Sequence, residues 1–258
     1  RFIPNARGAK VTDGLMSVEE VAEDGTVRAT HDLPFAYASG YWTTASAHGL
    51  PDAGIATYSE MLDRVTTLCR VSNAAIIADA DTGYGGLLNV HHTVRGYEQA
   101  GVVAIQIEDQ EFPKKCGHTP YRRVVPAIDM VEKIKVACEA RSSDETLIIA
   151  RTDARQSEGF EGAVKRGLAY AEAGADCLFV PFLLDSGAVA ELVAAVAPKP
   201  VNVVVHDYDD RISRLAALGV RRCSVGGSLA RRTWDAFDAA ARSLRDHEVA
   251  ATAPTLSH

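Results

Sequence analysis

Two carboxylates one residue apart, Asp79 and Asp81, follow a short apolar run that ends at Ala78. A glycine-rich turn comes directly after them, at 83–86. Residues two apart in a β-strand point to the same face, so the sequence predicts that these carboxylates lie side by side. Because like charges repel, a cation is expected between them, and a hard divalent ion such as Mg2+ takes oxygen ligands. The alternative for this stretch alone is a solvated Asp-Gly turn.

Two further charged residues end apolar runs. Glu108 follows such a run, and we interpret it as a third carboxylate facing the same metal, with an exposed strand-end acid as the alternative. Arg151 follows another, so its guanidinium is expected to bind a substrate carboxylate or to pair with Asp153 or Glu108. The rigid fork of arginine favours the substrate role.

A basic loop that runs from Lys114 to His118 contains a cysteine, Cys116. Neighbouring cations lower the pKa of a thiol and favour the thiolate, so the sequence predicts a reactive Cys116. Gly117 offers a hinge on which the segment could close as a lid. The alternative is an incidental thiol in a solvated charge run. A zinc site at Cys116 and His118 is not predicted, because no further ligands stand at a suitable spacing.

The composition excludes several classes of protein. Over 258 residues, 47% hydrophobic and 24% charged residues are typical of a soluble globular protein with a sizeable core. The net charge of −7 argues against a nucleic-acid partner, which would require a basic face. No apolar run is as long as a membrane span and no signal peptide is evident, so no membrane partner is expected. Five scattered cysteines without a Cys-x-x-Cys pair indicate free thiols and a cytoplasmic location.

Apolar runs typical of buried parallel strands alternate with amphipathic stretches typical of helices. The predicted strands are 35–40, 74–79, 102–108, 146–151, 176–181, 200–206 and 221–225, with one more near 2–4. The predicted helices are 58–71, 90–100, 128–140, 160–173, 186–197, 209–218 and 228–245. Gly101, Gly174 and Gly219 support three of the helix ends, since glycine is preferred in the left-handed cap.

Eight strands alternating with helices predict an α/β fold, a closed (β/α)8 TIM-type barrel in a single domain, with an open doubly wound sheet as the alternative. We assign the barrel to 1–248 and a frayed tail to 249–258. The first unit is irregular, because 5–34 carries a charged stretch where a regular helix would be expected. In such a barrel the active site lies at the carboxyl ends of the strands, which is where the acids, Arg151 and the Cys116 loop gather. A purely structural barrel has no reason for this clustering.

These motifs resemble the isocitrate lyase/phosphoenolpyruvate mutase superfamily. The resemblance covers roughly residues 35–180 and lies in the segments 49–52, 79–85, 108–110, 114–118 and 149–153. Its most specific part is the Lys-Lys-Cys-Gly-His segment at 114–118. This segment is similar to that of the carbon–carbon lyases acting on isocitrate, 2-methylisocitrate and dimethylmalate.

The resemblance implies a (β/α)8 barrel that uses Mg2+, with Mn2+ as a possible substitute, and a small carboxylic-acid substrate. Asp81 would hold the metal most directly, while Asp79 and Glu108 would hold it through water. The implied substrate-binding residues are Ser39, Gly40, Tyr41, Asp52, Gly117 and Arg151.

The resemblance also assigns the proton transfer. Cys116 would be the general acid or base on a mobile loop, with Lys115 and His118 as further catalytic residues. A homo-oligomer, either a dimer or a tetramer, is implied as well.

Three residues depart from the pattern of the resembling lyases. Tyr41 stands where a small residue is usual, Pro181 where a Glu is usual, and Val204 where an Asn is usual. Asn202 falls two residues too early to replace that Asn. Because a buried carboxylate without polar partners is unfavourable, we expect a substrate with fewer distal carboxylates than isocitrate.

The sequence therefore predicts a Mg2+-dependent lyase that breaks a carbon–carbon bond of a small 2-hydroxy or 2-oxo acid in the retro-aldol sense. The metal would polarise the oxygen on C2 and stabilise an enolate, and the thiol would move the proton. Alternatives among enzymes are an oxaloacetate-type decarboxylase or hydrolase and an enzyme of phosphorus–carbon bonds. A non-catalytic barrel that binds small acids is the alternative from another class, although such a binder has no need for the Cys116 loop.

Overall fold

The computed structural model describes residues 6–12, 15–21, 27–32, 35–181, 183, 185–205 and 211–246. The region in which the sequence shows no regular helix forms an antiparallel sheet instead. Its strands, in the order β1-β2-β3, are β1 (Ala6–Thr12), β2 (Leu15–Val21) and β3 (Val27–Asp32). β-Branched residues such as Val18, Val21 and Val27 favour extended backbone, which accounts for strands in place of a helix.

Seven parallel strands curl into a barrel wall and follow one another in chain order along the sheet. They are β4 (Phe35–Ala38), β5 (Ala75–Asp79), β6 (Ala104–Glu108), β7 (Leu147–Arg151), β8 (Cys177–Phe179), β9 (Val201–Val205) and β10 (Arg222–Val225). Each lies within a predicted strand, so the predicted α/β fold is confirmed, and over the described residues the seven strands form a half-barrel. The eighth predicted strand, near 2–4, and the predicted tail, at 249–258, lie outside the described residues.

Helices connect the parallel strands. They are α1 (Gly40–His48), α2 (Tyr58–Val71), α3 (Leu87–Ala100), α4 (Ala127–Ala140), α5 (Arg155–Glu172), α6 (Ser186–Val196), α7 (Arg211–Ala217) and α8 (Ser228–Arg245). The predicted glycine caps are confirmed, since Gly101, Gly174 and Gly219 all have left-handed φ angles, of 97°, 112° and 94°. Within the described ranges, no helix is long and apolar enough to cross a membrane.

Helix α1 was not predicted, and the strand predicted at 35–40 ends at Ala38 in the structure. Ser39 ends the extended segment, and its Oγ accepts a hydrogen bond from Trp42 N at 3.4 Å. Serine is a favoured helix N-cap, so the chain turns into a helix directly after β4. As a consequence, Gly40 and Tyr41 form the first turn of a helix that begins at the rim of the barrel.

The core has an inner and an outer layer. Inside the barrel, apolar side chains from neighbouring strands pack together, including those of Ile77, Ile149, Phe179 and Val204. Outside, the larger cluster lies between the sheet and the surrounding helices. Because side chains alternate along each strand, the strands β4 to β9 contribute to both layers, and the last inward position of a strand reaches the rim. The rim is where the candidate site lies.

Candidate active site

The carboxyl ends of the parallel strands surround a small cavity of about 80 Å³. Most of the predicted site residues line it: Ser39, Tyr41, Asp52, Asp79, Cys116, Gly117, His118 and Arg151. Residues that the sequence analysis did not assign to the site line it as well, among them Tyr37, Gln106, Lys114, Phe179 and Ser224. The structure thus brings together side chains from four of the five predicted motif segments, together with Ser39 and Tyr41.

Asp79 and Asp81 face one point, as predicted, but for a different reason. Asp79 is the last residue of β5, whereas Asp81 lies in the following turn with a left-handed φ of 46°. Strand alternation therefore does not place Asp81; the turn does. A Cβ added at Gly40 would lie 3.1 Å from Asp79 Oδ2 and 3.1 Å from Asp81 Oδ1. A larger residue there would require both carboxylates to shift, and Gly40 N donates to Asp79 Oδ2 at 3.1 Å.

The ammonium group of Lys114 lies against these acids. Its Nζ lies 2.7 Å from Asp81 Oδ1 and also contacts Asp52 Oδ1. Burial alone would lower the pKa of Lys114, but Asp81, Glu108 and Asp52 raise it well above its ordinary value. Lys114 is therefore a permanent cation in the cavity.

Negative charge still exceeds positive charge around the cavity. The carboxylates are those of Asp52, Asp79, Asp81, Glu108 and Asp153, and the cations are those of Lys114, Arg122 and Arg151. Burial raises the pKa of Asp81 to about 6 and the pKa of Glu108 well above its ordinary value. Glu108 Oε1 lacks a hydrogen-bond partner among the described residues. The three cations therefore compensate the five carboxylates only in part.

A hard divalent cation fits this donor set, because carboxylate oxygens are the ligands that Mg2+ and Mn2+ prefer. In the described part of the chain, no three His, Cys, Asp or Glu side chains are arranged to hold a metal ion directly. Mg2+ usually keeps several waters and takes only one or two protein carboxylates, completing its shell with substrate oxygens. The arrangement fits a metal held in that indirect way.

Arg151 makes both of the pairings that were considered as alternatives to substrate binding. Its Nη1 lies 3.2 Å from Glu108 Oε2, and its Nε lies 2.9 Å from Asp153 Oδ2. Nη2 donates to Asp153 Oδ1 at 3.0 Å. Arg151 also lines the cavity, with its Cζ 5.4 Å from the centre of the Phe179 ring. The pairs hold the guanidinium rigidly at the cavity wall, and its binding of a substrate carboxylate stays a prediction.

Cys116 lies at the cavity with its Sγ 3.6 Å from His118 Nδ1. The predicted lowering of the thiol pKa is wrong. Burial raises the pKa of Cys116 above its ordinary value and outweighs both the backbone hydrogen bond from His118 and the charge of Lys114. The thiol is therefore protonated near neutral pH, and this is the form that donates a proton.

The structure does not bring Lys115 to the cavity. Its Nζ donates to Tyr121 O at 3.2 Å on the exposed side of the loop, whereas Lys114 points inward. Two adjacent lysines in an extended loop face opposite ways, so only one of them can reach the site. Residue spacing does not indicate which lysine faces the cavity, and the geometry favours Lys114.

One part of the cavity wall is apolar, as the departures at Pro181 and Val204 suggested. Both residues line the cavity together with Phe179 and Val225. Asn202 does not reach the cavity; it is fully buried, and its Nδ2 donates to Ser224 Oγ at 3.2 Å.

Tyr41 closes the cavity on the side of α8. A Cβ added at Gly227 would lie 3.0 Å from Tyr41 Cε1, so the ring packs directly against the backbone there. Trp234 supports the ring from behind, with the two ring centres 5.9 Å apart. The position of Tyr41 is therefore well defined, and the cavity is narrow at this end.

Gln106 is a site residue that sequence reasoning missed. It is 1% exposed, lies beside Asp79 in the sheet register and lines the cavity. Within the described residues, neither its amide nitrogen nor its amide oxygen has a hydrogen-bond partner. A signal was present, because Gln106 stands two residues before Glu108 and must face the same way.

A larger cleft of about 530 Å³ adjoins the cavity on the outer side of the Cys116 loop. The cleft and the cavity share Gly117, His118 and Pro181 in their linings. The cleft is also lined by Arg122 and Arg155. It gives the cavity an approach lined by cationic side chains.

Comparison with known proteins places this geometry in context. The sequence profile of the phosphoenolpyruvate phosphomutase family matches residues 20–245. A 2,3-dimethylmalate lyase of Eubacterium barkeri is 49% identical over 144 residues, which cover 56% of this chain and 50% of that protein. A 2-methylisocitrate lyase of Halalkalibacterium halodurans is 44% identical over 172 residues, which cover 67% of this chain and 56% of that protein. The chain thus spans about half the length of these relatives.

Solved structures give the same picture. An oxaloacetate acetylhydrolase in complex with 3,3-difluorooxalacetate is 32% identical with a TM-score of 0.80, covering 85% of this chain and 77% of that chain. A phosphonopyruvate hydrolase in complex with oxalate and Mg2+ is 30% identical with a TM-score of 0.72, covering 86% of this chain and 80% of that chain. Proteins with similar folds therefore catalyse different reactions, so the reaction has to be inferred from the side chains of the site.

Proposed function

The chain belongs to the phosphoenolpyruvate mutase/isocitrate lyase superfamily, and from this membership we propose that it is a Mg2+-dependent carbon–carbon lyase acting on a small 2-hydroxy dicarboxylic acid. The observation that carries the proposal is the loop from Lys114 to His118, which sets a protonated thiol beside a carboxylate-lined cavity with an arginine on its wall. A non-catalytic binder would have no use for that thiol. We retain a cytoplasmic location and a homo-oligomer, dimer or tetramer, as predictions.

The metal would be held by Asp81 directly and by Asp79 and Glu108 through water. When bound, it supplies a Lewis acid for the oxygen on C2 and for the adjacent carboxylate. The excess of negative charge around these carboxylates supports this assignment, as does the Mg2+ in the phosphonopyruvate hydrolase complex.

The residues of this chain would carry the remaining steps. Arg151 binds the carboxylate next to C2 and fixes the orientation of the acid. As the hydroxyl on C2 passes its proton to a carboxylate of the cavity, such as Asp79, the C2–O bond becomes a carbonyl, and the bond between C2 and C3 breaks. The electron pair of that bond passes to C3, and the Cys116 thiol donates its proton there. The products are a 2-oxo acid and a second carboxylic acid.

Lys114 would support the developing negative charge. Its ammonium lies at the carboxylates on the same loop as the thiol, so it can reach an oxygen of the bound acid. Its positive charge stabilises an enolate oxygen in a cavity from which most water is excluded. Lys114 thus replaces Lys115 as the lysine that we propose for catalysis.

The proposed substrate is a dicarboxylate, because Phe179, Pro181, Val204 and Val225 make one part of the cavity wall apolar. A third carboxylate packed against these four side chains would lose its hydration, which is unfavourable by several kcal/mol. Methyl groups fit there instead. A compact 2-hydroxy dicarboxylate with apolar substituents, of the kind named for the 2,3-dimethylmalate lyase relative, meets these requirements.

Replacing Val204 with asparagine is expected to shift the preference towards tricarboxylates. The amide would offer a hydrogen-bond donor to a distal carboxylate, which should raise the ratio of kcat/KM for 2-methylisocitrate over 2,3-dimethylmalate by about 10- to 100-fold. Val204→Leu, which adds no donor, should leave the ratio low. If the unmodified enzyme already prefers 2-methylisocitrate, the apolar part of the wall does not disfavour a third carboxylate. Arg122 and Arg155 in the adjoining cleft then become the candidate partners of that carboxylate.

A second candidate function is hydrolysis of oxaloacetate. It is favoured by the likeness to oxaloacetate acetylhydrolase, which extends over 85% of this chain. Such an enzyme would release oxalate and acetate, with water as a co-substrate. The products separate the two candidates directly, since the lyase consumes no water and yields a 2-oxo acid.

The proposed function is tested by a substrate panel. The Mg2+-loaded protein would be incubated with 2,3-dimethylmalate, 2-methylisocitrate, isocitrate, oxaloacetate and phosphonopyruvate, and the products quantified by chromatography. We expect pyruvate from 2,3-dimethylmalate at the highest rate. Exclusive release of oxalate from oxaloacetate would establish the second candidate, and exclusive turnover of phosphonopyruvate would overturn both.

A further inference from the structure

The loop that carries Lys114 and Cys116 is closed at its base. Gln110 and Val124 form an isolated antiparallel bridge. Glu111 N donates to Arg123 O at 3.0 Å, and Val125 N donates to Asp109 O at 2.9 Å. These backbone bonds hold the two ends of the loop together, but they do not reach the segment that enters the cavity.

The side chain of Gln110 reaches that segment. Its Oε1 accepts from Lys115 N at 3.0 Å, and its Nε2 donates to Lys115 O at 3.0 Å. Gln110 is 2% exposed, whereas Lys115 is exposed, so both bonds are partly buried. Because Gln110 binds both the backbone N–H and the backbone carbonyl of Lys115, it sets the direction in which the side chains of Lys114 and Cys116 leave the loop.

Asp153 connects Gln110 to Arg151, which lines the cavity. Gln110 Nε2 also lies 3.3 Å from Asp153 Oδ2, and the same carboxylate pairs with Arg151. Asp153 is itself fixed, since its backbone N donates to Asp109 Oδ1 at 2.9 Å. One buried carboxylate thus contacts both the loop and the arginine that we propose for substrate binding.

Arg122 makes a second connection from the far side of the loop. Its Nε lies 3.1 Å from Asp153 Oδ1, and its Nη1 donates to Gly117 O and, at 2.7 Å, to Thr119 O. Gly117 follows Cys116 directly. The segment around the thiol is therefore held on both sides by residues that meet at Asp153.

We propose that Gln110 and Arg122, joined through Asp153, are positioning residues that hold the Cys116 loop in its closed place over the cavity and align the loop with Arg151. The role of the closed loop in turnover rests on the proposed function, whereas the positioning of the loop by Gln110 and Arg122 does not. Neither Gln110 nor Arg122 needs to touch the substrate.

The experiment measures the accessibility of the Cys116 thiol and requires no substrate. Wild type, Gln110→Met and the exposed control Gln99→Met are treated with iodoacetamide, and alkylation of each of the five cysteines is followed by peptide mass spectrometry. Gln110→Met keeps the length of the side chain and loses both bonds to Lys115, so we expect Cys116 alkylation to rise about tenfold. Cys69, Cys138, Cys177 and Cys223 should react as in wild type, and Gln99→Met should change nothing.

Arg122→Met provides an independent arm in case Gln110→Met folds poorly, and it should also raise alkylation at Cys116 selectively. Unchanged Cys116 alkylation in well-folded Gln110→Met and Arg122→Met, judged by circular dichroism and Tm, would overturn the proposal. An equal rise at all five thiols would overturn it too, because the residues would then stabilise the whole fold. Once a substrate is known, Gln110→Met should lower kcat more than it raises KM. If this kinetic result alone fails, it would count against the proposed function and leave the positioning role of Gln110 and Arg122 intact.

Discussion

Replacement of Cys116 with serine is expected to lower kcat by about 10²- to 10⁴-fold, the usual contribution of a positioned proton donor. The thiol lies at the cavity, and burial raises its pKa, so it holds a proton at neutral pH. A serine hydroxyl of similar size is a much weaker acid and donates poorly to C3. Because Cys116 does not anchor the substrate, KM should change little. Both constants would be measured from the release of the 2-oxo acid.

Cys69→Ser is the matched control for this substitution. Cys69 is a partly buried thiol on α2, remote from the cavity, and its pKa is likewise raised by burial. Its replacement should leave kcat unchanged. If Cys116→Ser retains full activity, the proton must come from another group, and the assignment of Cys116 fails.

Replacement of Asp81 with alanine is expected to abolish turnover, to below about one thousandth of the wild-type rate, because several kcal/mol of stabilisation come from the metal. Treatment with EDTA should have the same effect, and Mg2+ or Mn2+ should restore the wild-type enzyme only. The fold should persist, since the change also removes a buried charge that is close to Asp79. Isothermal titration with Mn2+ would report the loss of binding, and Tm would report the fold.

Asp63→Ala serves as the control, because Asp63 is an exposed carboxylate on α2. It should bind Mn2+ and turn over substrate as wild type does. Full activity in a metal-stripped sample would contradict the metal assignment, whatever the behaviour of Asp81→Ala.

Much of the barrel could be predicted because parallel strands carry their own signal. Runs such as that ending at Asp79 are apolar throughout, since both faces are buried, and a glycine such as Gly101 marks the preceding helix end. Helix α1 gave no comparable signal, because its nine residues have no clear apolar face and only the Ser39 cap indicates its start. The antiparallel sheet of β1 to β3 was equally hidden in a charged stretch.

The membership of the site was predictable to the extent that strand ends meet at one rim. Asp79, Glu108 and Arg151 are strand-terminal residues, and the structure brings them together. Loops follow no such rule. Whether Lys114 or Lys115 enters the cavity depends on the hydrogen bonds between Gln110 and the backbone of Lys115, and residue spacing does not predict these bonds.

The prediction of a lowered pKa for Cys116 was wrong for a related reason. Adjacent lysines in the sequence suggest a cationic environment, but Lys115 points outward and Lys114 is engaged by Asp52 and Asp81. What the thiol meets is burial, which depends on the packing of the loop over the cavity. Desolvation outweighs the nearby charges and raises the pKa.

In the proposed reaction this protein breaks a carbon–carbon bond, and the departing carbon receives its proton from the enzyme. The most direct measurement is NMR of 2,3-dimethylmalate, with 2-methylisocitrate in parallel, incubated with the Mg2+-loaded protein in D2O. We predict pyruvate and propionate from 2,3-dimethylmalate, the propionate carrying a single deuterium at C2, with neither product formed after EDTA treatment. The absence of pyruvate from both substrates, or a reaction that proceeds unchanged without metal, would contradict the account.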